Sequence, residues 1–101
     1  MKIISLDASR WTTPDDFYDS LLAGIEAPEW HGRNVNALID SMIYGEINAV
    51  EPPFRVEVGG LRTAGSGARA ALNEAIGCLR SEGARCLINQ DGTALIEILG
   101  T

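Results

Sequence analysis

Between Glu51-Pro52-Pro53 and Gly59 the chain reads Phe54-Arg55-Val56-Glu57-Val58, apolar and charged residues in strict alternation. Successive side chains of a strand point to opposite faces, so this run demands a sheet with one covered face and one wetter face. Three stretches with helical spacing can supply the cover. Thr13-Pro14-Asp15-Asp16 offers an N-cap, a proline at the first helical position and acids in the first turn. Phe17, Tyr18, Leu21, Leu22 and Ile25 follow at helical spacing, and Gly24 and Pro28 bracket the end. Asn34 can cap a second helix in which Val35, Leu38, Ile39, Met42 and Ile43 form an apolar stripe. Ala68 to Arg80 puts Leu72, Ala75, Ile76 and Leu79 on one side of a third, which Gly83 ends.

Short β-rich runs alternate with these helices: Lys2 to Leu6, Phe54 to Val58, Ala84 to Asn89 and Thr93 to Leu99. The order predicts an α/β fold of two layers, a three-stranded parallel sheet packed with helices through right-handed crossovers, plus a C-terminal antiparallel hairpin strand. Asn89-Gln90-Asp91-Gly92-Thr93 reads as a type I turn closed by a left-handed glycine, a three-residue loop. That loop sets Arg85 opposite Glu97 and gathers Ala84, Cys86, Ile88, Ala94, Ile96 and Ile98 on one face. A length of 101 residues with 46 % apolar content suits one core, so one domain over residues 1–101 is expected.

Several function classes are disfavoured. No stretch approaches the about eighteen uncharged apolar residues of a membrane span, and MKIISLDASR lacks the pattern of a secretory leader, so a cytoplasmic protein is expected. Cys78 and Cys86 lack metal-ligand or redox spacing and read as buried free thiols. Residues 1–51 hold nine acids and three bases, whereas 52–101 hold five of each, so the whole formal charge of −6 sits on the first half. Phosphate backbones need clustered Lys and Arg, so direct nucleic-acid binding is not expected, and a basic partner suits the chain better. His31 is the only histidine and stands in no metal or general-base motif; packing or solvent contact is its expected role. Gly60-x-x-x-x-Gly65-Ser66 precedes a helix as a phosphate loop would, but the motif's lysine is absent. Gly59 to Gly67 is expected to be a flexible connector, with Arg62 and Arg69 leaving room for an anion contact. Neither an enzyme nor any cofactor or metal is predicted.

Residues 28–40 read Pro-Glu-Trp-His-Gly-Arg-Asn-Val-Asn-Ala-Leu-Ile-Asp, and here the chain resembles the barstar family of ribonuclease inhibitors. The family pattern joins a proline and an acid, an aromatic pair, Gly-x-Asn, and an apolar-x-Ala-Leu-x-Asp helix. Pro28, Glu29, Gly32, Asn34, Ala37, Leu38 and Asp40 match it without a gap. The element order fits from Lys2 to about Ile88, including the Ser81-Glu82-Gly83 turn; barstar ends after its last parallel strand, so Thr93 to Leu99 goes beyond it.

The resemblance implies a two-layer barstar-like fold and a protein partner, a basic ribonuclease whose active site is plugged by this loop and helix, as an immunity protein would do. It makes Glu29, Trp30, Gly32, Asn34, Asn36, Asp40 and Tyr44 the partner-binding residues. Trp30 stands where the family has an interfacial tyrosine, and Asp40 keeps the central carboxylate. Asn36 replaces a second aspartate, and Cys78 falls where barstar presents an acid from its last long helix. The residues themselves point the same way: Asn36, Asp40 and Tyr44 lie at i, i+4 and i+8 on the outer edge of the apolar stripe, and Trp and Tyr are common binding anchors. The alternative is a regulatory interaction module on this fold whose partner is not a nuclease, and for Trp30 a partly buried loop anchor. The partner's identity, its affinity and the oligomeric state are not encoded legibly.

Overall fold

The alternating run forms strand β2, Phe54–Gly59, of a four-stranded sheet in the computed structural model, which describes residues 1–100. Phe54, Val56 and Val58 are buried, while Arg55 and Glu57 stand on the other face. The remaining elements are β1 (Lys2–Asp7), α1 (Pro14–Gly24), α2 (Val35–Leu38, continued by a π-helical turn over Ile39–Ile43), α3 (Ser66–Ser81), β3 (Arg85–Ile88) and β4 (Ala94–Ile98), with a 3-10 turn at Leu61–Thr63. Among the described residues no helix is long and apolar enough to cross a membrane.

The α/β reading and the antiparallel hairpin strand both stand, but the strand order differs from a simple parallel sheet. It is β1-β2-β4-β3: β1 pairs parallel with β2, and β4 lies antiparallel between β2 and β3. The sheet is therefore mixed. One row across its covered face runs Ile4, Val56, Ile96, Cys86, all buried. The neighbouring row on the open face runs Ile3, Arg55, Glu97, Arg85. The insertion also matches charges across the open face. Glu97, only 7 % exposed, accepts from Arg55 at 2.8 and 3.1 Å and meets Arg85 at 3.7 Å. Direct pairing of β3 with β2 would bring the two arginines together without the acid between them.

The hairpin itself follows its turn chemistry. Asn89 N–H donates to the Thr93 carbonyl (2.9 Å), Gly92 takes φ +89°, and Arg85 pairs with Glu97 as expected. Helices α1 and α3 pack against each other, α1 also on β1 and α3 on β3, and α2 leans on α3. Trp11 and Phe17 meet edge to face at 5.6 Å within one buried cluster. At the start of α1, Thr13 is the N-cap and Asp16 the acceptor: its carboxylate receives the N–H groups of Thr12 (2.8 Å) and Thr13 (3.1 Å) and the Thr12 hydroxyl (2.9 Å). Those bonds, the Thr12 amide first, hold the Asp16 carboxyl below its ordinary value.

The glycine-rich stretch is not the flexible connector its composition suggests. Leu61 and Ala64 are buried, Leu61 N–H donates to the Gly92 carbonyl (2.9 Å), and Gly65 N–H to that of Trp11 (2.7 Å). Gly65 answers to close packing: a side chain there would meet the Thr12 carbonyl at 2.6 Å. Of the two thiols Cys86 is buried and Cys78 half-buried, both free.

Candidate functional site

The segment from Pro28 to Tyr44 is built as a loop fastened to a short helix. Leu38 and Met42 are wholly buried, and each anchors the helix by roughly 1.5–3 kcal/mol of apolar burial. Asn34 caps α2, accepting from Ala37 N–H at 2.8 Å. Gly32 makes room for that cap, since a side chain there would meet the Asn34 amide at 2.8 Å. Asn34 and Gly32 thus shape the site from within.

His31, which sequence reasoning left to packing or solvent, is 6 % exposed and joins the loop to the helix. Its Nδ1 lies 2.8 Å from the Gly32 carbonyl and its Nε2 2.7 Å from the hydroxyl of Ser41, itself 2 % exposed. Arg33 adds a second tie by donating to Asp19 of α1 at 2.6 and 3.0 Å. That exposed pair contributes little stability, yet it orients the loop. The regular helix expected through Ile43 instead widens after Leu38 into the π turn, where Tyr44 N–H reaches back to the Ile39 carbonyl (3.4 Å).

Several side chains are left exposed on this frame. Trp30 is 74 % and Tyr44 71 % exposed, so Trp30 is no buried anchor. Asp40 is exposed and has no ion-pair partner among the described residues, and Glu29 is likewise exposed. Asn34 and Asn36 line a groove of about 640 Å³ between α1, α2 and α3, together with Tyr18, Val35, Glu74 and Cys78. Burial, and then Glu74 and Cys78, push the Tyr18 phenol above its ordinary value. No single hollow takes in all seven expected residues: Glu29 lines a smaller one with Asp19, His31 and Arg33.

Sequence reasoning missed Glu74. The search for an acid on the last long helix stopped at Cys78, whereas Glu74 lies one turn earlier and lines the same groove as Asn36. The signal was available, because residues four apart share a helix face. Also missed was the Ser41 partner of His31, which only the folded loop brings near. Among the described residues no group of His, Cys, Asp or Glu side chains is placed to hold a metal ion.

Over residues 1–96 the chain matches the family described as Barstar (barnase inhibitor). No curated protein and no solved structure matches it.

Proposed function

The chain belongs to the barstar family, and from that membership we propose that it binds a basic ribonuclease and blocks the enzyme's active site with the Glu29–Tyr44 face, acting as an inhibitor in the cytoplasm and not as an enzyme. The observation that supports this most is the state of Asp40: an exposed carboxylate on the π turn without an ion-pair partner among the described residues, in a segment that also presents the exposed rings of Trp30 and Tyr44. An exposed carboxylate in the same segment as aromatic anchors suits a cationic pocket built for phosphate. Glu29 and Glu74 can widen the anionic surface, Glu74 from across the groove beside Asn36. A positive nuclease cleft would be drawn to the acidic half of the chain before contact, which raises the association rate.

A second reading, a regulatory module with another kind of protein partner, draws support from Asn36 and Cys78, which stand where the family pattern has acids. Affinity capture from the source cell, with parent and Asp40→Ala proteins in parallel, followed by assay of the captured fraction for ribonuclease activity, separates the two. A nuclease retained by the parent, inhibited by it and lost with Asp40→Ala supports inhibition. A specific partner without nuclease activity supports the module.

A further inference from the structure

A hollow of about 370 Å³ lies outside the face described above, between the Leu61–Thr63 turn, the first turns of α3 and the β3–β4 hairpin. Small-molecule sites typically occupy roughly 300–1,000 Å³. Its lining includes buried Leu61 and Leu72 and half-exposed Ile88, with Arg62, Arg69, Asn73 and Gln90 as polar groups.

The charge there runs against that of the chain. Two arginines line the hollow and no acid does, in a protein of formal charge −6. Most other cations are engaged: Lys2 with Glu26, Arg33 with Asp19, Arg55 and Arg85 with Glu97, and Arg80 on the Cys86 carbonyl. Arg10, Arg62, Arg69 and Arg80 have no ion-pair partner among the described residues, and two of these four share this hollow. Asp91, on the same hairpin, accepts from the Thr93 N–H (3.1 Å) and hydroxyl (2.6 Å); the Thr93 hydroxyl first, and more weakly the charge of Arg62, hold its carboxyl below the ordinary value. Arg62 leans toward the hairpin, 3.5 Å from the Gln90 carbonyl. At the amino end of α3, Thr12 and Pro14 pack close to Gly65 and Gly67, while Ser66 lines the hollow.

Each guanidinium presents a fork of donors shaped for an oxyanion, and Arg62 and Arg69 both line this hollow without an ion-pair partner among the described residues. The exposed Ala70 and Ile88 offer apolar surface to whatever the anion is attached to. We propose that this hollow binds a small organic anion, its phosphate or carboxylate group held by Arg62 and Arg69 and its apolar group against Ala70 and Ile88.

Phenyl phosphate and benzoate are suitable probes, with inorganic phosphate and phenol as the separate halves. In titrations of isotope-labelled protein followed by amide NMR at roughly 0.15 M salt, where exposed charges are screened, at least one probe is expected to saturate a single site. The shifted amides should cluster in Leu61–Asn73 and Ile88–Thr93, and the tighter probe identifies the head group. Arg62→Gln combined with Arg69→Gln should weaken binding by at least about tenfold with the melting temperature little changed. Each half-ligand should bind more weakly than the whole. Shifts that never saturate, that map elsewhere, or that survive the double substitution would overturn the proposal. Inorganic phosphate binding as tightly as phenyl phosphate would overturn its apolar half. The shift map of the parent protein decides the location even if the double variant folds poorly.

Discussion

Two hydrogen bonds of different character define His31. Its Nδ1 faces a carbonyl, which only accepts, so that nitrogen carries a proton, while Nε2 shares a 2.7 Å hydrogen bond with the Ser41 hydroxyl. Ser41→Ala strands a buried ring nitrogen and should cost about 1–3 kcal/mol of stability, measured by urea unfolding. A cost near zero would mean that water or a shift of the loop replaces the bond. Because the bond joins the loop of Trp30 to the helix of Asp40, the same substitution should also weaken partner binding, through lost preorganisation. At this scale the sequence was partly legible. Asn34, Leu38 and Met42 announce themselves by spacing and type, whereas a histidine and a serine ten positions apart meet only once the loop closes.

Local signals located most elements, and the exceptions have local causes. The hairpin was readable because turn chemistry and face alternation act within a few residues and together fix the register. The π turn was not: Leu38 and Met42, four apart, stay on the buried side whether the turn is regular or widened, so periodicity cannot tell the two apart. For α1 the capping acid Asp16 links the element to pH. Its carboxyl is held low by amide and hydroxyl donors, so the folded state prefers the ionised form. The stability this provides is present above the ordinary value of 3.8 and is lost as pH falls through the lower folded value. Asp16→Asn should lower the melting temperature at neutral pH and make the loss of stability below about pH 4 shallower, as followed by circular dichroism. An acid limb unchanged by the substitution would show that Asp16 is not part of it.

For the whole molecule the placement of β4 decides what holds the sheet together. Strand β4, joined to β3 by the hairpin, is internal, and its order could not be read from sequence because it depends on contacts such as that of Arg55 with Glu97, which spans 42 positions. Its amides should exchange among the slowest in hydrogen-exchange experiments, and Ile96→Ala, at a fully buried site, should cost about 2–5 kcal/mol. Fast exchange in Ala94–Ile98 would contradict that order. The resemblance over 28–40 and the element order were legible, since the motif is continuous in sequence; helical spacing from Cys78 also pointed to Glu74, but that Glu74 faces Asn36 was not legible, because it depends on how α2 and α3 pack. The central claim, that the Glu29–Tyr44 face binds the partner with Asp40 at its centre, is tested most directly by calorimetry of parent and Asp40→Ala proteins against the captured partner. An exposed carboxylate contributes little to folding, so the melting temperature should hardly move. Binding should weaken by about 2–5 kcal/mol, a magnitude taken from buried charge pairs such as those of the barnase–barstar complex and not from this chain. An Asp40→Ala protein that binds as tightly as the parent would place the interface elsewhere and contradict the account.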